Sequence, residues 1–96
     1  MSKAYLIARV EVTDADAYRG YTARTPDAVA AFDGRFLVRG GTVEALEGPA
    51  EARRIVVIEF PSMDRLKAFF ASAQYQEARS FRLGAAVFEA IAVEGA

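Results

Sequence analysis

Arginine and carboxylate are the residue types this sequence offers for chemistry, and their spacing suggests pairs. Arg39 precedes Gly40-Gly41, and Glu59 follows the apolar run Ile55-Val56-Val57-Ile58. If the Gly48-Pro49 turn folds residues 42–47 back on 53–58, Glu59 comes to lie beside Arg39. An arginine next to a partly buried glutamate can hold a substrate carboxylate in its planar fork while the glutamate moves a proton. Arg39 is thus the first candidate for ligand binding and Glu59 for catalysis; the alternative is a structural ion pair. Arg9 and Glu89 form a second pair, since the first and last strands should be antiparallel neighbours. Arg9 is a further ligand-binding candidate, set against ordinary cross-strand charge pairing. Tyr18 and Tyr21 stand one helical turn apart. Tyr18 is the third ligand-binding candidate, at a pocket mouth, set against plain aromatic packing of helix on sheet.

The missing residue types narrow the chemistry further. The chain has no Cys, His, Trp or Asn. Without Cys there is no disulfide, thiolate nucleophile or iron–sulfur cluster. Without His there is no imidazole base, no Ser-His-Asp triad and no His-ligated zinc or haem. No acidic spacing suits calcium or magnesium, so no metal and no cofactor is expected. Ser62 reads as a helix cap, having no base to activate it. Gly40-Gly41 lacks the spacing and following helix of a phosphate loop. Ten of the twelve basic residues are arginine, which suits bidentate anion recognition and equally follows from a GC-rich genome.

The net charge of -1 comes from 12 basic and 13 acidic residues, interspersed. That balance gives no basic face for nucleic acid. No apolar run approaches a membrane span, and Met-Ser-Lys-Ala-Tyr lacks a signal-peptide pattern; a cytoplasmic address without membrane contact is the expectation. Ninety-six residues with 53% apolar composition predict one domain over residues 1–96 with one core.

The elements that must position these residues follow from periodicity. Residues 4–12 alternate as a strand, and Thr13 or Asp14 caps a helix carrying Tyr18, Thr22, Thr25, Val29 and Phe32 on one stripe. Pro26 should kink or divide that helix, and Asp33-Gly34 ends it. Residues 35–39 form a second strand, with a bulge or bend at Gly40-Gly41 and extended chain through Glu47. Residues 53–60 read as a buried central strand. Ser62 and Ser72 open two helical segments, the second through Tyr75, Ala78 and Arg82, and residues 86–94 form the last strand. The order β-α-β-β-α-β predicts an α+β ferredoxin-like sandwich: a four-stranded antiparallel sheet with helices on one face. Strand parity puts Leu6, Ala8, Val10, Val56, Ile58 and Phe60 on an uncharged face. The opposite face mixes Ile7, Val57 and Ile91 with Arg9, Arg39 and Glu59. A face so mixed suits the inside of a barrel closed by a second sheet, and the expected partner is a second copy of the chain, in a homodimer.

The segments Gly34-Arg-Phe-Leu-Val-Arg-Gly-Gly41, Leu46-Glu-Gly48, Val57-Ile-Glu-Phe-Pro-Ser62, Tyr75-Gln76, Arg82-Leu-Gly-Ala-Ala86 and Val93-Glu-Gly95 occur here in order. Together they resemble the bacterial family labelled domain of unknown function 1330. Asp33 stands where that family often has a second glycine, and Ser80-Phe81 where a proline often falls. The resemblance implies a dimeric α+β barrel, two ferredoxin-like sheets face to face, and no established reaction. The wider superfamily includes cofactor-free monooxygenases, haem-degrading enzymes, lactone isomerases and stress-responsive barrels; its haem-handling members use an axial His that this chain lacks. Two function classes stay open. One is a site that binds or converts a small anionic organic molecule without metal or haem. The other is a non-catalytic homodimer with a packed interface.

Overall fold

The computed structural model describes residues 2–96. Seven elements run β1 (Ala4–Val12), α1 (Ala15–Ala31), β2 (Arg35–Arg39), β3 (Arg54–Phe60), α2 (Met63–Ala71), α3 (Ala73–Ser80) and β4 (Ala86–Glu94). Local chemistry sets their ends. Asp14 accepts a hydrogen bond from the Ala17 amide at 3.1 Å, Ser62 from Arg65 at 3.1 Å and Ser72 from Tyr75 at 3.1 Å. Each satisfies a donor the first helical turn leaves free. Beyond α1, Asp33 takes φ 60, and the Gly34 amide reaches back to the Val29 carbonyl at 3.0 Å.

The strands pair antiparallel in the order β2-β3-β1-β4. Three helices cover one face, where Leu6, Ala8, Val10, Ile58 and Phe60 meet Val29, Leu66 and Phe69 in a continuous core. The ferredoxin-like sandwich and its antiparallel sheet are as the sequence predicts. The barrel is not: the sheet is open, with β2 and β4 as free edges that do not pair. The reason is strand number: one chain supplies only four of the roughly eight strands that bring a sheet round on itself, the expected barrel having counted on a second sheet for the rest.

Two local expectations also change. Pro26 neither divides α1 nor ends it; the helix runs unbroken from Ala15 to Ala31. The irregularity in β2 lies before the glycine pair. Leu37 and Val38 together occupy one position opposite β3, so that Phe36 faces Ile58, Val38 faces Val57 and Arg39 faces Val56. One extra residue reverses the facing of everything after it. Arg39 therefore belongs to the helix-covered face, with Val56, and not to the open one. Residues 41–53 are irregular rather than a continued strand.

Candidate anion-binding site

The helix layer does not seal against the sheet everywhere. Between α1 and the β2–β3 end lies an open cleft of about 530 Å³, lined by Val12, Ala15, Tyr18, Arg19, Thr22, Arg39 and Arg54. It leads to an inner recess of about 20 Å³ that shares Tyr18, Thr22, Arg39 and Arg54 and ends against Tyr21, Tyr75 and Phe88. The recess holds about one water molecule, so any organic ligand must lie in the outer cleft.

Each cation arrives by a different route. Arg39 reaches the cleft through the bulge, and its guanidinium donates to the Thr22 carbonyl at 2.9 Å while lying over the Phe36 ring at 4.4 Å. That carbonyl is free because its ordinary helical partner would be the amide of residue 26, and proline has none. The side chain from β2 thus satisfies the oxygen that the proline leaves without a donor, and the helix continues. Arg54 opens β3 on the same face, opposite Val10. Its Nε is shielded from solvent and meets no acceptor among the described residues. A third guanidinium stands behind them. Arg82 is 6% exposed, lies 3.7 Å from the Phe88 ring, and donates to the Tyr75 hydroxyl at 3.3 Å; Tyr75 in turn shares a 3.0 Å hydrogen bond with Tyr21.

None of Arg39, Arg54 and Arg82 has a carboxylate partner among the described residues, whereas Lys3, Arg9, Arg19, Arg35, Arg53 and Arg65 all do. No Asp or Glu lines either part of the cleft. The three cations act on Tyr18. Burial raises the pKa of its phenol above the ordinary value, and the charges of Arg54, Arg82 and Arg39 pull it back down. Tyr18 therefore stays protonated at neutral pH, a hydroxyl able to donate into a positive, acid-free cleft.

The sequence candidates separate in space. Arg39 and Tyr18 do come together. Glu59 does not join them: β2 pairs with β3 ahead of the loop rather than after it, which sets Glu59 opposite Arg35 and leaves Arg39 opposite Val56. The Glu59 carboxylate, 13% exposed, is held by Arg35 at 3.0 Å and Lys3 at 3.4 Å. Burial pushes its pKa up, but the Lys3 hydrogen bond and the Arg35 charge outweigh that and keep it below the usual carboxylate value. A carboxylate so held is a weak base. Arg9 lies on the open face. It is Glu89's register partner, but its ion pair is with Glu51 at 3.5 Å, and Arg53 bridges Glu51 at 3.0 Å and Glu89 at 3.3 Å. Arg54 and the burial of Arg82 went unread as site features. The signals were present: Arg54 shares parity with Val56 and Ile58, and Arg82 continues the stripe of Tyr75 and Ala78.

Such a molecule is a small ferredoxin-like α+β domain with an arginine-lined cleft between its helix layer and its sheet. The family model described as Domain of unknown function (DUF1330) matches residues 3–96, and the chain belongs to that family. No curated protein matches it. Several solved structures share the fold. A protein of unknown function from Rhodopseudomonas palustris, RPA0582, superposes with a TM-score of 0.78 at 20% identity, covering 99% of this chain and 83% of its own. A dimeric ferredoxin-like protein of unknown function from Jannaschia sp. CCS1 gives 0.72 at 16% identity, covering 96% and 98%. SnoaB, a cofactor-independent oxygenase from Streptomyces nogalater, gives 0.62 at 14% identity, covering 97% and 92%.

Proposed function

We propose that the chain binds a small organic anion in the cleft between α1 and the sheet, with Arg39 and Arg54 holding the charged end and the Tyr18 hydroxyl donating to it. The observation that carries this reading is the convergence of guanidiniums without carboxylates on a cleft lined by no acid, in a chain whose net charge is -1. Arg39 is exposed and Arg54 half-buried; neither has a carboxylate partner among the described residues, and an incoming carboxylate would supply one through charge-assisted hydrogen bonds. The same positive field would stabilise negative charge on a bound ligand, with the Tyr18 hydroxyl as a hydrogen-bond donor and no metal or haem required. The cofactor-independent oxygenase among the similar folds supports a catalytic version of this reading.

The open face of the sheet supports a homodimer alongside it. Leu37, Val38, Val87, Ile91 and Val93 are exposed there, and a second copy laid over this face would bury them. The Jannaschia protein, dimeric by its description, is consistent with that arrangement.

The ligand test is a thermal-shift screen of small carboxylates and lactones, followed by titration of the best binder against wild type, Arg39→Lys and Arg39→Met. Arg39→Met is expected to weaken binding at least about tenfold, the loss of one charge-assisted bond. Arg39→Lys should fall between, since it keeps the charge and loses the planar fork. Unchanged affinity in Arg39→Met would place the site elsewhere.

A further inference from the structure

Gly40 adopts φ +74, and its amide donates to the Ile55 carbonyl at 2.9 Å, closing the β2–β3 pairing next to Arg54. A left-handed turn alone would explain glycine there. The surroundings require it a second time. A Cβ built on Gly40 would stand 2.5 Å from Arg54 Cζ and 3.0 Å from its Nη2, and would overlap Nη1. The Arg54 guanidinium therefore packs against the bare Cα of the residue that follows Arg39. Gly48 makes the comparison clean. It takes φ +88, and a Cβ there meets nothing within 4 Å.

We infer that Gly40 is the seat of Arg54: it lets the guanidinium lie beside Arg39, so that the two together form one clamp for the paired oxygens of a carboxylate. This deepens, and rests on, the anion-binding reading above. It makes Gly40 a positioning residue that acts through Arg54. Two planar forks from adjacent strands suit a ligand whose two oxygens lie in one plane, and Tyr18 lines the same cleft as a flat wall. The class is a small carboxylate on a planar, apolar body. The three atoms nearest an added methyl at position 40 all belong to the far end of a flexible side chain, so the guanidinium gives way before the strand pairing does.

The experiment compares wild type with Gly40→Ala, Gly48→Ala and Arg54→Met, using benzoate as the probe and calorimetry as the readout. Phenyl phosphate and cyclohexanecarboxylate serve as second and third probes. Gly40→Ala and Arg54→Met should each weaken benzoate about tenfold or more. Gly48→Ala, which carries the same left-handed strain without the contact, should stay within about twofold of wild type. A second readout needs no ligand. Arg54 lowers the Tyr18 pKa, so displacing it should move Tyr18 ionisation to higher pH in Gly40→Ala and not in Gly48→Ala; Tyr18→Phe identifies the signal.

Benzoate binding equal in the two alanine variants, with Tyr18 ionisation unmoved, would overturn the seat. If wild type ignores all three probes, the anion-binding reading fails, and Tyr18 ionisation alone decides whether Gly40 places Arg54. Phenyl phosphate bound more tightly than benzoate would overturn the carboxylate class and leave the seat standing. Cyclohexanecarboxylate matching benzoate would remove the planar body.

Discussion

Replacing Arg82 with methionine is expected to stabilise the protein. The guanidinium is 6% exposed, has no carboxylate partner among the described residues, and leaves its Nε without an acceptor. Desolvating a cation costs several kcal/mol, about 4, and an orphaned donor adds roughly 1–3. Against this stand the stacking on Phe88 at 3.7 Å, about 2 kcal/mol for a desolvated pair, and the 3.3 Å hydrogen bond to Tyr75, about 1.5 kcal/mol. The balance is unfavourable by roughly 1.5–3.5 kcal/mol. Methionine keeps an unbranched apolar stem against Phe88 and adds sulfur–aromatic contact. Nothing polar is stranded, because the Tyr75 hydroxyl retains Tyr21 at 3.0 Å. Arg82→Met should therefore gain about 1–2 kcal/mol, seen as a rise in the urea midpoint at constant m and in Tm by about 4–8 °C per kcal/mol. Protein concentration must be fixed, since a dimer would make both depend on it. Arg82→Ala, which removes the stem as well, should lose stability and serves as the packing control. A fall of more than about 1 kcal/mol in Arg82→Met would refute the reasoning. It would mean that the guanidinium holds Phe88, Tyr21 and Tyr75 together more strongly than its burial opposes them.

Alkali should expose a second buried group. Burial, then the neighbouring Tyr75, raises the Tyr21 pKa above its unfolded value of about 10. Its contribution to stability is complete below that pH and declines above it by up to about 1.4 kcal/mol per pH unit. Tyr21→Phe should cost about 1 kcal/mol at neutral pH and flatten the decline above pH 10; an equally steep fall in the variant would count against this assignment. Light scattering at micromolar concentration should give about twice the 10.4 kDa chain mass, and Ile91→Glu, placing charge at a side chain 63% exposed on the open face, should return the monomer. A wild-type monomer under those conditions would end the dimer reading.

The element order was legible because it depends on local signals: Asp14, Ser62 and Ser72 cap helices wherever the chain goes next, period-two alternation marks β1, and a continuous apolar run marks β3. What sequence could not settle was register. Residues 41–53 form a long irregular connection, and nothing in their pattern fixes where β2 and β3 begin to pair. The register that forms sets Glu59 opposite Arg35, and one extra residue at Leu37–Val38 then carries Arg39 through the sheet to the cleft. Pro26 failed as a helix breaker for a similar reason. The donor that rescues the Thr22 carbonyl comes from another strand, which local propensity does not see. The barrel was read from strand alternation and from resemblance to a family, and was corrected by strand order.

The two free margins of the sheet are unequal. β2 is five residues long, interrupted by the bulge, and carries Arg35 and Arg39 at its ends; such a margin is a poor template for another strand. β4 runs nine residues without proline or irregularity, with Val87, Ile91 and Val93 exposed. Its outer row of amides and carbonyls is aligned to recruit a further chain, edge to edge. Unwanted assembly in this protein should therefore propagate from β4, in one direction, and a single lysine or proline on that strand's outer side would arrest it without touching the cleft.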